Sequence, residues 1–209
     1  MSLAIDYYFA PHSPWAYLGH QRFQDIVRHH GAEVRVLPVD LGGRVFPLTG
    51  GLPLAKRAPE RQAYRLLELK RFSEWLHAPL NPTPRYFPVN PDDAAKLIIA
   101  VDLQDGTDAA MALTGAVMRA LWVEEKNIAD EATLAGLLKA QGLKLARLDD
   151  AHTQRVHLRY EEDSQRAIAA GVFGAPSYVI DGEIFWGQDR LDFVERRLQH
   201  YRPQENGDH

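Results

Sequence analysis

A short segment near the amino terminus, IDYYFAPHSPWAYLG at residues 5–19, limits the folds that this chain can adopt. Residues 5–9 are rich in β-branched and aromatic side chains, which is typical of a short buried strand. Ser13 and Pro14 then form a helix start, with Ser13 as N-cap and Pro14 as the first helical residue. The segment predicts a hydroxyl at the positive end of a helix dipole, where anions bind well. The alternative is that Ser13 only caps the helix.

The residues that follow complete a strand, helix and strand unit. The helix is predicted over residues 14–30, and the alternation of residues 33–39 predicts a second strand. Short connections of this kind imply a parallel pair of strands with a right-handed crossover. Residues 41–59 are rich in Gly and Pro and predict a long, partly ordered loop, which is either functional or a mobile linker.

Helical patterns dominate the middle of the chain. Helices are predicted over residues 60–76, over 90–105 after a proline-rich stretch, from Thr107 or Asp108 to about 125, from Asp130 to about 141, and from Asp149 or Asp150 to 170. Strand signals then return: residues 177–180 and 183–186 flank an Asp-Gly pair, which is a strong hairpin signal. A final amphipathic helix is predicted to end at residue 198, and the polar residues 201–209 are predicted to be frayed.

Composition argues against several classes of function. The chain has 209 residues, 45% of them hydrophobic, which suits one domain or one domain with a large insertion. The net charge of −4 and the lack of a basic cluster argue against a nucleic-acid partner. No apolar run reaches the ~20 residues that span a bilayer, so we expect no membrane partner. The start, MSLAID, lacks the features of a secretory signal, and we expect a cytoplasmic protein.

The chain contains no cysteine. It therefore cannot hold a disulfide, a thiolate nucleophile or a zinc-thiolate site. No other metal-binding motif is present, so we expect no metal site.

The order of the predicted elements indicates the fold. Without the helical block, the order is βαβ followed by αββα, which is the order of the thioredoxin fold, and the block itself is the arrangement of the DsbA-like branch. We therefore predict an α/β, thioredoxin-like fold with a large all-helical insertion. Residues 1–40 and 171–209 would form the thioredoxin-like domain, and residues 41–170 would form the loop and the helical insertion.

Several segments resemble the 2-hydroxychromene-2-carboxylate isomerases and the related kappa-class glutathione transferases. They are DYYF at 6–9 with SPWAYL at 13–18, PVN at 88–90, GVFGAP at 171–176 and DGEIFWGQDRL at 181–191. In disulfide oxidoreductases of this fold, the position of Ser13 is a cysteine within Cys-x-x-Cys. The resemblance implies that glutathione supplies the sulfur that this chain lacks.

The resemblance also implies roles for individual residues. Ser13, as the catalytic residue, would donate a hydrogen bond to the glutathione sulfur and lower its pKa. Ala175 and Pro176 match a cis-proline position, from which the Ala175 backbone would pair with glutathione like an added strand. The alternative is an ordinary trans turn. Gln188 and Asp189 would bind the γ-glutamyl group through their backbone N–H groups, and the Asp189 carboxylate would bind its ammonium. The alternative is that Asp189 is only a helix cap.

Each further candidate has a binding interpretation and a structural alternative. Arg61 stands where the family usually has a lysine that contacts glutathione, and Lys56 lies just before it; both are otherwise surface charges. For the substrate, Asn90 is an active-site amide or a helix cap, and Tyr86 and Trp15 line an aromatic pocket or belong to the core. His12 is an acid or base beside Ser13, or part of a solvated turn.

The resemblance implies a glutathione-dependent cis–trans isomerase. The glutathione thiolate would add to a conjugated aryl pyruvate, the attacked bond would rotate, and the thiolate would leave. The alternatives are a kappa-like transferase that conjugates electrophiles and a non-catalytic thioredoxin-like binding module. The resemblance further implies a small aromatic substrate and a homodimer.

Overall fold

A four-stranded sheet lies at the centre of the computed structural model, which describes residues 3–200. The strands are β1 (Ala4–Phe9), β2 (Glu33–Pro38), β3 (Ser177–Ile180) and β4 (Glu183–Trp186), in the spatial order β2-β1-β3-β4. β1 pairs in parallel with β2 and antiparallel with β3, and β4 pairs antiparallel with β3. The predicted thioredoxin-like order of elements is confirmed.

The helices of the described residues surround this sheet. They are α1 (Pro14–His30), α2 (Phe46–Thr49), α3 (Pro59–Trp75), α4 (Asp92–Asp105), α5 (Thr107–Trp122), α6 (Glu131–Ala140), α7 (Arg147–Ala151), α8 (Gln154–Ala169) and α9 (Leu191–Gln199). All but α1 and α9 lie between β2 and β3, so the predicted helical insertion is confirmed. Most of α4 is buried, because its residues 94, 95 and 97–101 all face the core.

The helix α1 begins and ends where the sequence predicts. Ser13 has an extended backbone, and its Oγ accepts a hydrogen bond from Ala16 N at 3.2 Å. At the other end, Gly31 adopts a left-handed conformation with φ 59°, which a side chain would disfavour. These caps fix Ser13 just beyond the carboxyl end of β1.

Side chains on the two faces of β1 form two separate cores. Tyr7 stacks on Tyr178 of β3, with ring centroids 5.4 Å apart, and packs against Phe23 of α1 at 4.8 Å. Tyr7 therefore belongs to the larger core, which includes residues of α1, α4 and α5. Tyr8 points to the other face and packs in a smaller core with Val172 and Val179, together with Ala167 of α8.

The segment predicted as a long loop, residues 41–59, contains more regular structure than the sequence indicates. A π-helical turn (Leu41–Val45), α2 and a 3₁₀ turn (Leu54–Lys56) occur there. The first turn forms because Asp40 Oδ1 accepts a hydrogen bond from Gly43 N at 2.7 Å. The segment was predicted to be partly ordered, and these three short turns supply that order.

Two predicted helix starts also differ from the structure. The single helix predicted from Asp149 or Asp150 is divided into α7 and α8, because Thr153 adopts an extended backbone with ψ 149° between them. The cap position of α5 is Gly106, not Thr107 or Asp108. The Thr107 hydroxyl instead donates a hydrogen bond to Asp102 at 3.2 Å.

The proposed division into two domains stays a prediction. Its boundaries, after residue 40 and before residue 171, fall near the ends of β2 and α8. The larger core contains residues from β1 and from α4 and α5, so the two predicted parts share one apolar interior. The predicted frayed end, residues 201–209, lies outside the described residues.

Gly19 allows α1 to pack closely against the chain just before α9. A Cβ at Gly19 would lie 2.7 Å from Gln188 Cβ, a distance that forces one of the two elements to move. We expect Gly19→Ala to lower the free energy of unfolding by about 1–3 kcal/mol, measured by urea denaturation. The matched control is Gly136→Ala in α6, where a Cβ meets no atom within 4 Å. There we expect a gain of about 0.5–1 kcal/mol, and an equal effect of both changes would contradict this packing.

His20 makes the stability of the protein depend on pH. Its Nε2 donates to Met111 O at 2.9 Å, its Nδ1 lies 3.3 Å from the Tyr7 hydroxyl, and burial lowers its pKa to about 4. Because the unfolded chain has a His pKa of about 6.5, it binds more protons than the folded protein between pH 6.5 and 4. Acidification through this range should therefore reduce the stability advantage of the wild type over His20→Gln, measured by denaturation at several pH values. Parallel curves for the two proteins would contradict the assignment.

Candidate active site

Ser13 lies where the first turn of α1 meets the segment before β3. It is buried, and Ser13 N donates to Ala10 O at 2.8 Å, which closes the turn after β1. Its Oγ accepts from Ala16 N at 3.2 Å and approaches Ala175 O at 3.5 Å. The hydroxyl oxygen is thus held by the helix, while its hydrogen points to a carbonyl at the limit of hydrogen-bond distance.

The segment containing Ala175 and Pro176 connects Ser13 to the last helical part of the chain. The peptide bond between Ala175 and Pro176 is cis, as the resemblance implied. Pro176 O accepts a hydrogen bond from Gly187 N at 2.9 Å, and Ser177 Oγ donates to the carbonyl of residue 174 at 2.8 Å. The structure therefore brings Ser13, Ala175, Pro176 and the turn before α9 together.

Gln188 and Asp189 open the 3₁₀ turn Gln188–Arg190 but differ in exposure. Gln188 is only 2% exposed and packs against Gly19, so its side chain serves the contact between this turn and α1. Asp189 is exposed and forms an ion pair with Arg190 at 2.9 Å. Of the two predicted side chains, Asp189 is the one that a ligand can reach.

Basic side chains without acidic partners lie at the start of α3. Lys56 and Arg61 are exposed, and within residues 3–200 neither forms an ion pair. Arg57 donates from Nε to Leu52 O at 2.8 Å, and burial together with the charge of Arg61 lowers its pKa. This end of α3 therefore carries basic side chains that form no ion pair within residues 3–200, although Glu60 lies in the same turn.

Arg65 is a further basic side chain, one turn after Arg61 on α3. Its guanidinium lies 5.2 Å from the ring centre of Phe87 and 5.9 Å from that of Trp122, within cation–π range. Burial and the charge of Arg57 lower the pKa of Arg65 to about 10, so the side chain is still charged at neutral pH. Sequence reasoning missed Arg65, although its i, i+4 spacing from Arg61 places both on one face of the helix.

His12 precedes Ser13 in the chain and lies close to Phe87 and Arg65. Its ring centre is 6.3 Å from that of Phe87, and burial lowers its pKa to about 4, with the charge of Arg65 acting in the same direction and Asp40 opposing it. The ring is therefore neutral at pH 7. The alternative of a solvated turn does not fit this environment, because His12 is half-buried and its Nδ1 is inaccessible.

The remaining predicted substrate residues have other contacts. Trp15 packs edge-on against Phe72 of α3, with ring centres 5.9 Å apart, and so stands beside Ser13 on the α3 side. Tyr86 is half-buried against the larger core. Asn90 Oδ1 accepts from Asp92 N at 2.9 Å in the turn that leads into α4. The cap position of α4 is Pro91, so the predicted cap role of Asn90 was wrong, and no contact in the described chain joins Asn90 to Ser13.

Two other features of the described residues bear on the type of site. Within residues 3–200 no group of three or more His, Cys, Asp or Glu side chains is arranged to hold a metal ion. None of the described helices is both long enough and apolar enough to cross a membrane.

A wide surface groove between α1, α5 and α6 is separate from this site, because its lining includes Tyr17, Arg119 and Gln141 but not Ser13 or Pro176.

Comparisons with known proteins identify relatives of this chain. The chain is 28% identical over 199 residues to a 2-hydroxychromene-2-carboxylate isomerase of Sphingobium xenophagum, which covers 95% of this chain and 99% of the relative. It is 26% identical over 211 residues to glutathione S-transferase kappa 1 of Caenorhabditis elegans, covering 95% and 92%. A solved structure of a 2-hydroxychromene-2-carboxylate isomerase matches with a TM-score of 0.78 and 25% identity, over 94% of this chain and 95% of that one. A family model for the DsbA-like thioredoxin domain matches residues 4–199, and the chain therefore belongs to that family.

Proposed function

We propose that this protein is a glutathione-dependent cis–trans isomerase that acts on an aromatic substrate of the 2-hydroxychromene-2-carboxylate type. The observation that carries the proposal is the position of Ser13, whose hydroxyl lies at the start of α1 and 3.5 Å from Ala175 O in a chain without cysteine. Similarity over nearly the full length to relatives named as such isomerases supports this class of reaction.

The residues around Ser13 are suited to binding an ionised sulfur. The Ser13 hydrogen meets only a distant carbonyl, and a sulfur anion would be a stronger acceptor for it. Hydrogen bonding and the positive end of α1 both favour the charged form of a thiol. The Ala175 backbone and the exposed Asp189 would bind the peptide part of glutathione, and Lys56 and Arg61 would attract its carboxylates.

When bound, glutathione would supply a thiolate that adds to a conjugated double bond, permits rotation about the resulting single bond and leaves again. The chain itself provides position and charge. Ser13 stabilises the ionised sulfur, and the Trp15 ring, packed on Phe72, offers a flat apolar surface for an aromatic group. Positive charge at the start of α3 would stabilise an enolate that develops in the substrate. Tyr86 and Asn90 stay as proposed substrate contacts, and the Asn90 side-chain oxygen already accepts one hydrogen bond, from Asp92 N.

A kappa-like transferase is the second candidate, because the same sulfur site would serve conjugation. The similarity to the kappa-class transferase of Caenorhabditis elegans favours it specifically. Activity with a halogenated aromatic compound but not with a chromene carboxylate would select the transferase. The third possibility, a binding module, requires that the protein has no affinity for glutathione, which calorimetric titration measures directly.

We also propose a homodimer. Exposed apolar side chains on α3, namely Tyr64, Leu67 and Trp75, support an association surface on the described chain. Sedimentation analysis of the purified protein would show a monomer if this part of the proposal is wrong.

Ser13→Ala should reduce the glutathione-dependent turnover by about 100-fold, because one hydrogen bond to the developing charge is lost. It should also raise the pKa of the bound thiol, measured by ultraviolet absorption of the thiolate. The matched control is Asp130→Ala, which removes the cap of α6, where Asp130 Oδ2 accepts from Thr133 N at 2.9 Å. Each variant loses a helix cap worth about 1 kcal/mol, but only Ser13→Ala should change the kinetics. Equal turnover in both variants, or turnover without glutathione, would refute the proposed role.

A further inference from the structure

Buried polar atoms without partners are concentrated at one place in the described chain. Within residues 3–200, four buried side-chain atoms have neither a hydrogen bond nor an ion pair: His12 Nδ1, Arg65 Nη2, Trp122 Nε1 and Tyr178 OH. The first three belong to side chains grouped around the Phe87 ring. The distances from its centre are 6.3 Å to the His12 ring, 4.9 Å to the Trp122 ring and 5.2 Å to Arg65 Cζ.

Burying unpaired polar atoms lowers the free energy of unfolding unless a ligand forms hydrogen bonds with them. Buried donors are paired in the great majority of cases, because an unpaired donor has lost its hydrogen bonds to water. The cation–π contacts of Arg65 with Phe87 and Trp122 offset part of the cost for the charge, but ring faces are weak acceptors for its N–H groups. The side chain therefore keeps hydrogen-bonding capacity that the described chain does not use.

The electrostatic surroundings of Arg65 indicate that its missing partner is negatively charged. Arg65 forms no ion pair within residues 3–200, and Arg57 adds a second positive charge close to it. His12 is neutral at pH 7, so its Nδ1 can either donate or accept a hydrogen bond. A guanidinium presents a planar fork of donors, which matches a carboxylate, and the neighbouring rings suit a flat body attached to it.

We propose that Arg65 and His12 form an oxyanion subsite, bounded by the rings of Phe87 and Trp122, that receives the carboxylate of an aromatic co-substrate beside Ser13. The inference rests on the proposed function and adds the residues that select the substrate. His12 precedes Ser13 in the chain, so the subsite adjoins the position proposed for the sulfur. Lys56 and Arg61 are exposed, in contrast to half-buried Arg65, and are left for the solvated carboxylates of glutathione.

The test compares two ligands that share a ring and a hydroxyl group but differ in whether they carry a carboxylate or a neutral amide. Salicylate and salicylamide have the same flat ring, but only salicylate has a carboxylate. We expect calorimetric titration of the full-length protein without glutathione to show about tenfold or tighter binding of salicylate. Arg65→Gln should abolish this preference, and Arg65→Lys should restore part of it, because lysine keeps the charge but not the fork. The matched control is Arg71→Gln on the same helix, whose side chain is exposed and paired with Glu68 at 2.6 Å; it should keep the full preference.

Other outcomes are equally decisive. The subsite is refuted if the wild type does not discriminate between the two ligands, if Arg65→Gln weakens both equally, or if its effect falls on glutathione affinity instead. Arg65→Met serves as the folding control, because it retains the apolar stem and removes a buried charge that has no carboxylate partner within residues 3–200; its melting temperature should not fall below that of the wild type. A separate titration with glutathione tests the proposed function. Absence of glutathione binding with salicylate preference intact would refute the isomerase and leave the anion subsite standing.

Discussion

The contact between the start of α1 and the segment before β3 is the interaction on which the site depends. Ser13 and Ala175 are 162 positions apart in the sequence, and the sheet brings them together because β1 pairs directly with β3. The N-cap bond to Ala16 then fixes the hydroxyl, and the bond from Gly187 to Pro176 places the last helical segment on the other side. Three elements distant in sequence are therefore linked through Ala175 and Pro176.

Much of this arrangement could be predicted from the sequence, because local signals were strong where the thioredoxin-like elements lie. The Ser-Pro helix start and the Asp-Gly hairpin each depend on backbone preferences of two residues, and both are confirmed. The segment after β2 was predicted less well. Its first turn depends on a side chain, Asp40, that accepts a hydrogen bond three residues ahead, and such a contact has no periodic pattern.

The group formed by Arg65, Phe87 and Trp122 could not be predicted from the sequence. Phe87 and Trp122 come from a proline-rich loop and from the end of α5, and only tertiary packing places them around a guanidinium of α3. In sequence, Arg65 is one of several arginines on an amphipathic helix and has no distinguishing mark. Its significance is energetic: the cost of burying an unpaired donor is visible only once its neighbours are known.

The insertion of the helical block between β2 and β3 separates two kinds of residues along the chain. Ser13, Ala175 and Pro176 belong to the thioredoxin-like elements, whereas Arg65, Phe87 and Trp122 belong to the inserted block. If the proposed function holds, mutations that reshape α3 or the loop after it can alter substrate selectivity while the residues proposed to bind the sulfur stay unchanged. Divergence after gene duplication would then produce enzymes with one shared chemistry and many different specificities.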